Sequence, residues 1–119
     1  MTTQVSQTNA PEGYVYVCDR ADVPARGKKT VHLNDVTVLI VACNGGLYAI
    51  EDRCPQTGRS LAHGRVLRCD IISPYNGVWY CLKTGRCLSG GGWPLPSNWL
   101  RVFAVQVVDE KVYVRLPDR

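Results

Sequence analysis

The sequence has 119 residues, of which 45% are hydrophobic and 20% are charged, so it is long enough for one globular domain and too short for two. The net charge is only +4 and the basic residues are scattered, which argues against a nucleic-acid-binding protein. No stretch has the apolar length of a membrane span, and the polar N-terminal residues have the pattern of neither a secretory signal nor a transit peptide. We therefore expect a cytoplasmic protein whose partner is neither nucleic acid nor a membrane.

Short strands separated by turns are predicted along the chain after a flexible N-terminal tail over residues 1–12. The turn signals are Asn34-Asp35, Asn44-Gly45-Gly46 and Asp109-Glu110. The predicted strands cover residues 14–18, 29–33, 36–43, 47–50, 64–69, 70–72, 78–82, 87–88, 101–108 and 111–116. No window shows a sustained helical period, so the pattern predicts an all-β sandwich or small barrel.

Two Pro- and Gly-bearing loops carry the most specific pattern in the chain. The first loop (residues 54–64) reads CPQTGRSLAHG, and the second loop (residues 73–85) reads SPYNGVWYCLKTG. The pair resembles the cluster-binding loops of Rieske [2Fe–2S] ferredoxins, whose pattern is C-P-H-x-G followed by C-P-x-H-G-W. The resemblance also includes the run LYAIEDRCP, the turn LKTGRCLSG and the closing hairpin with VYV. It implies an antiparallel β-sandwich over residues 13–119, with an inserted loop subdomain over about residues 51–93.

Only one of the four ligand positions of that pattern keeps its ligand. Cys54 matches the first cysteine, whereas Gln56, Ser73 and Asn76 replace the first histidine, the second cysteine and the second histidine. A Rieske centre needs two thiolates and two imidazoles, and amide oxygens are poor ligands for iron beside sulfide. We therefore expect neither a cofactor nor a metal, and expect hydrogen bonds among the replaced residues to cross-link the two loops.

Other cysteines and histidines leave a fallback site open. The candidate ligands are Cys54, His63, Cys69 and Cys81, and an all-cysteine cluster would use Cys87 in place of His63. We interpret His32 as an ordinary strand residue, and Cys18 and Cys43 as small buried hydrophobic residues. A Cys81–Cys87 disulfide is disfavoured, because the hairpin turn at Thr84-Gly85 would place Leu82 opposite Cys87.

The resemblance implies a cluster-free accessory or small subunit of a redox enzyme complex, of the oxygenase or nitrite-reductase type. Its expected partner is a larger redox enzyme or oxygenase subunit, docked through the loop end at Leu61, Pro74, Tyr75 and Val78, with Trp93 and Pro94 nearby. The alternative is a ferredoxin that transfers electrons with a [2Fe–2S] cluster held by non-standard ligands. A catalyst using Cys54 as nucleophile and His63 as base is the third reading, and no orienting group supports it.

Overall fold

The computed structural model describes residues 11–88 and 99–116, which form ten strands in two antiparallel sheets. The large sheet has the order β1-β10-β9-β4-β3-β2, and the small sheet has the order β5-β6-β7-β8. The strands are β1 (Tyr14–Asp19), β2 (Lys28–Leu33), β3 (Val36–Cys43), β4 (Gly46–Glu51), β5 (Arg65–Leu67), β6 (Asp70–Ile72), β7 (Trp79–Cys81), β8 (Cys87–Leu88), β9 (Val102–Val108) and β10 (Lys111–Arg115). The predicted all-β class is confirmed, and the predicted tail over residues 1–12 lies almost wholly outside the described residues.

The continuous apolar run of β3 is explained by two hydrophobic cores, one on each face of the strand. Leu39 and Val41 pack into the core shared with the small sheet, together with Leu61, Ile71 and Tyr80. Val38, Ile40 and Ala42 point the other way and pack with residues of β1, β9 and β10. Because successive side chains of a strand alternate between faces, a strand covered on both faces must be apolar at every position.

Tight hairpin turns fix the strand register. Leu33 pairs with Val36 across Asn34-Asp35, as the sequence predicts. Cys43 pairs with Gly46 across Asn44-Gly45, so the second turn is one residue shorter than predicted and Gly46 begins β4. Asn44 has φ +51° and Gly45 has φ +80°, the left-handed pair that a two-residue hairpin favours.

The β5–β6 hairpin turns at an unexpected place. Arg68 and Cys69 form the turn with φ +52° and +59°, between the paired residues Leu67 and Asp70. The predicted strand over residues 64–69 therefore ends at Leu67, and Cys69 occupies a turn instead of a strand. Asn and Gly are the usual residues of such turns, and neither is present here.

One short 3-10 helix, Arg20–Asp22, follows β1. Among the described residues, no helix is long and apolar enough to cross a membrane.

Candidate functional site

Three turns in and beside the small sheet share one backbone geometry, and two of them, over residues 73–78 and 81–86, lie at opposite ends of β7. In residues 54–59, the Cys54 N–H donates to the Arg59 carbonyl and the Gly58 N–H donates back to the Cys54 carbonyl, both at 2.8 Å. Residues 73–78 and 81–86 repeat this pair of hydrogen bonds. The fifth residue of each turn is a glycine with positive φ, at +74°, +73° and +81° for Gly58, Gly77 and Gly85. The loop glycines are therefore required by the turn geometry.

The fourth residue of each turn supplies a side-chain oxygen. Thr57 accepts from the Arg59 N–H at 3.2 Å, Asn76 from the Val78 N–H at 3.1 Å, and Thr84 from the Arg86 N–H at 3.1 Å. These bonds close each turn from within.

Side chains at two of the replaced ligand positions join the two loops. The Asn76 side-chain amide donates to Gln56 Oε1 at 3.2 Å. A second cross-loop contact places the Arg59 guanidinium 4.8 Å from the centroid of the Tyr75 ring, within cation–π range. The third replacement, Ser73, is buried, and its Oγ accepts from the Tyr75 N–H at 3.3 Å within its own turn.

Cys54 lies in a pocket of hydrogen-bond donors. Its side chain is fully buried, and Sγ lies 3.7 Å from the Tyr80 hydroxyl. Burial raises the pKa of the thiol, but hydrogen bonds from Thr57, Gln56 and Tyr80 to sulfur outweigh it, and the pKa falls below its usual value. Burial and the bond to Cys54 raise the pKa of Tyr80, which therefore remains a neutral donor.

Substitution of Thr57 by Val tests this account of Cys54. Because the Thr57 hydroxyl donates to sulfur, Thr57→Val is expected to raise the pKa of Cys54, as measured by thiolate absorbance with Cys54→Ser as the blank. Because the pKa of Cys54 is lower in the folded than in the unfolded protein, its thiolate stabilises the fold at pH values above the unfolded-state pKa. This stabilisation is lost as the pH falls through the folded-state pKa. Thr84→Val is the matched control, because it removes the equivalent turn hydrogen bond in residues 81–86. An equal pKa change in both variants would contradict the role of Thr57.

The donor set does not fit a Rieske cluster. The four positions offer one thiolate, one hydroxyl and two primary amides, from Cys54, Ser73, Gln56 and Asn76. Such a cluster requires two thiolates on one iron and two imidazoles on the other. Moreover, the amides of Gln56 and Asn76 bond to each other.

The fallback metal site is wrong as proposed. Cys69 forms a disulfide with Cys43, so it has no free thiolate for iron. His63 is exposed, whereas Cys54 is buried. Within residues 11–88 and 99–116, no group of three or more His, Cys, Asp or Glu side chains is placed to hold a metal ion.

The disulfide also corrects the interpretation of Cys43 as a small buried hydrophobic residue. Its side chain is half-buried and forms a disulfide bond with Cys69. Cys43 precedes the β3–β4 turn and Cys69 lies in the β5–β6 turn, so the bond links the large sheet to the small one. Cys18 is buried with a free thiol, as predicted. His32 also has an ordinary strand role, with Nδ1 3.2 Å from Thr37 Oγ1.

Cys81 and Cys87 are both free thiols, but the predicted register between them is wrong. Tyr80, and not Leu82, pairs with Cys87. The reason is the longer turn over residues 81–86, in which Cys81 N–H donates to the Arg86 carbonyl.

The predicted docking residues separate into exposed and buried groups. Pro74 is exposed and Tyr75 is 51% exposed, whereas Val78 is half-buried against the core. Leu61 is fully buried and packs in the core, so its side chain is not available to a partner. Trp93 and Pro94 lie outside the described residues. Trp99, which the sequence analysis passes over, is 55% exposed and lies under the Arg86 guanidinium.

The charge distribution around the loops is a second feature missed in the sequence. Residues 53–108 contain a single acidic residue, Asp70, although the whole chain has ten. The basic residues of the same segment are Arg53, Arg59, Arg65, Arg68, Lys83, Arg86 and Arg101. This positive charge arises because Asp and Glu are nearly absent from residues 53–108, and a search for runs of Lys and Arg does not detect it.

The fold and the paired loops define the class of protein. Residues 13–115 match the family model of the Rieske-like [2Fe-2S] domain, and the chain belongs to this family.

Curated relatives agree with this assignment. The chain is 31% identical over 107 residues to the 3-phenylpropionate/cinnamic acid dioxygenase ferredoxin subunit of Shigella boydii, covering 87% of this chain and 94% of that protein. It is 33% identical over 99 residues to human apoptosis-inducing factor 3, covering 83% of this chain but only 16% of that longer protein. A solved complex of reduced oxygenase and oxidized ferredoxin in carbazole 1,9a-dioxygenase contains a chain similar in fold, with a TM-score of 0.74, 24% identity, and 88% and 94% of the two chains covered.

Proposed function

We propose that this chain is a non-catalytic accessory or small subunit of a redox enzyme complex, of the oxygenase or nitrite-reductase type, and that it docks through its loop end without a cluster. The observation that carries the proposal is the hydrogen bond between Asn76 and Gln56, at 3.2 Å. These residues stand where the family pattern has its two histidine ligands, and they bond to each other across the loops. Support for an oxygenase partner comes from the relatives named as dioxygenase ferredoxin subunits.

The proposed docking surface consists of Pro74, Tyr75 and Arg59. A second exposed arginine–aromatic pair, Arg86 and Trp99, lies at the turn on the opposite end of β7. Aromatic and Arg side chains are enriched at the centres of protein interfaces. Each of the two arginines lies over an exposed aromatic ring, at 4.8 Å for Tyr75 and 5.3 Å for Trp99. Since acidic residues are almost absent from residues 53–108, the partner surface is expected to be acidic.

The second candidate function is electron transfer as a Rieske-type ferredoxin with a non-standard [2Fe–2S] site. The names of the dioxygenase relatives favour it over the cluster-free reading. The hydrogen-bond donors around Cys54 also suit a thiolate ligand. The side chains of Gln56, Ser73 and Asn76 disfavour this function, because amide and hydroxyl oxygens are poorer ligands for iron beside sulfide than imidazole and thiolate.

An iron and acid-labile sulfide assay separates the two candidates. The wild-type chain, purified and reconstituted without oxygen, is expected to hold no stoichiometric iron. The matched variant carries Gln56→His, Ser73→Cys and Asn76→His, which restore the family pattern, and it is expected to take up two iron atoms per chain in the manner of the family. Two iron atoms in the wild-type chain would overturn the cluster-free reading, and the EPR spectrum would show whether nitrogen or only sulfur binds iron.

Docking is tested with a purified terminal oxygenase component from the source organism. Arg59→Glu is expected to weaken binding at least tenfold, with a strong dependence on salt, because it reverses a charge at the proposed interface. Arg115→Glu, an exposed site on β10 of the large sheet, is the matched control and is expected to leave the affinity unchanged. Equal losses in the two variants would contradict docking through the loop end.

The location and the domain limits remain part of the proposal. We retain a tail over residues 1–12, a domain over residues 13–119 and a loop subdomain over about residues 51–93. The cytoplasmic location is the least supported of these assignments, because disulfides such as Cys43–Cys69 are rare in the cytosol.

A further inference from the structure

A cavity lies beside the Cys43–Cys69 disulfide, between the turns that join the two sheets and away from the two loops. Its volume is about 510 Å³, within the range of small-molecule sites. Three arginines line it, Arg20, Arg26 and Arg68, and none of the acidic residues that the structure describes does. We propose that this cavity binds a small organic carboxylate, with the guanidinium groups on its anionic end and the apolar wall on its hydrocarbon body.

The three arginines come from separate parts of the chain. Arg20 begins the 3-10 helix after β1, Arg26 lies in the connection before β2, and Arg68 lies in the β5–β6 turn. The Arg20 side chain donates to the carbonyl oxygen of Gly45, another lining residue, at 3.4 Å. The Arg68 guanidinium also lies 5.8 Å from the centroid of the Trp79 ring, which is not part of the lining. Because stacking on a ring leaves the N–H groups at the edge of a guanidinium able to donate, the three arginines still offer donors to an anion.

Two of the arginines occupy backbone positions that do not suit them. Arg26 has φ +61° and Arg68 has φ +52°, in the left-handed region where Gly or Asn is expected. Side chains held at such positions cluster at binding sites, because the surrounding structure must compensate for the strain. The connection that holds Arg26 is fixed by hydrogen bonds from Gly27 to Pro24 and from Ala42 to Gly27, both at 2.9 Å.

The remaining wall selects the chemistry of the ligand. Ala25, Ala42, Val66 and Leu67 line the cavity with apolar atoms. A bare inorganic anion would leave these atoms in contact with water, whereas a carboxylate with a compact hydrocarbon body would cover them. Arginine recognises the planar carboxylate through paired N–H donors.

The disulfide holds the two sides of the cavity together. Cys43, Asn44 and Gly45 line one side, and Val66, Leu67 and Arg68 line the other. The acidic residues close to the lining in sequence are Asp19 and Asp22, on either side of Arg20, and Asp70, two residues after Arg68, and none of the three is part of the lining. Burial raises the pKa of Asp70 and the neighbouring Arg68 guanidinium lowers it, with burial the larger effect.

An NMR titration with cyclohexanecarboxylate tests the proposal. Saturable shifts are expected at the backbone amides of Ala25, Ala42, Val66 and Leu67. Cyclohexylmethanol, the neutral analogue, and inorganic phosphate are each expected to bind at least tenfold more weakly, because each lacks one half of the recognised chemistry.

Asn substitutions remove the guanidinium groups without disturbing the turns. Asn tolerates positive φ better than Arg, so Arg26→Asn and Arg68→Asn are expected to fold normally and to weaken carboxylate binding about tenfold each. Arg65→Gln removes a charge from the adjoining strand β5 but not from the cavity lining, and is expected to leave the affinity unchanged.

The absence of saturable shifts with cyclohexanecarboxylate would overturn the proposal. Equal affinity for cyclohexylmethanol, or an equal loss in Arg65→Gln and Arg68→Asn, would also overturn it, because binding would then be apolar or governed by overall charge. Tighter binding of phosphate than of the carboxylate would refute the role of the apolar wall.

Discussion

Gly85→Ala is expected to destabilise the fold by about 4 kcal/mol, the sum of backbone strain and overpacking. Gly85 has φ +81°, and an added Cβ would overlap the carbonyl oxygen of Leu100. Leu100 cannot easily move away, because its N–H donates to the Gly85 carbonyl at 2.7 Å and its side chain is buried in the core. Unfolding in urea, followed by tryptophan fluorescence, measures the loss.

Gly77→Ala is the matched control for Gly85→Ala. Gly77 occupies the same position of its turn with φ +73°, but no atom of residues 11–88 and 99–116 lies within 4 Å of the added Cβ. Its cost is therefore limited to backbone strain, about 1 kcal/mol. Equal losses in the two variants would show that residues 99–100 do not pack against Gly85 as described.

Loss of the Cys43–Cys69 disulfide is expected to lower the free energy of unfolding by about 3 kcal/mol. The two cysteines are 26 residues apart, and the bond restricts the unfolded chain over that loop. The double variant Cys43→Ala/Cys69→Ala and the reduced wild-type protein are expected to have similar stability, and a reductant is expected to have no effect on the variant.

Cys81→Ala is the control for the disulfide, because Cys81 is a half-buried free thiol and its loss is expected to cost much less. Alkylation of the unfolded, non-reduced protein counts the free thiols directly. Four modified cysteines are expected, Cys18, Cys54, Cys81 and Cys87. Six would show that the bond does not form in solution.

The disulfide and the cross-loop contacts act on different parts of the small sheet. The disulfide ties the β5–β6 turn to the large sheet, whereas the Asn76–Gln56 hydrogen bond joins the tips of the loops. A hydrogen bond contributes about 1 kcal/mol and an exposed cation–π pair a similar amount or less. Loop tips held by such contacts alone are expected to be less rigid than tips held by a metal cluster.

The sequence by itself determined the all-β class, most strand positions and the three hairpin turns at Asn34, Asn44 and Asp109. Local sequence patterns were enough for these features, because the alternation of apolar and polar residues and the choice of turn residues depend on only a few neighbouring positions. The resemblance of the two loops to the family pattern is also visible locally, since their spacing is a property of the chain, and the assignment of the four ligand positions stays a prediction. The register around Thr84-Gly85 is not readable from residue types, because the turn over residues 81–86 is closed by backbone hydrogen bonds.

Only the tertiary structure decided which distant residues meet. Cys69 resembles a fallback ligand in sequence, yet the β5–β6 turn carries it to Cys43, and Leu61 resembles a surface anchor, yet it fills the core under the small sheet. The arginine-lined cavity draws on three separate segments and has no local signature. Disulfide pairing, burial and cavities all depend on how the two sheets pack against each other, and that packing is a property of contacts distant in sequence.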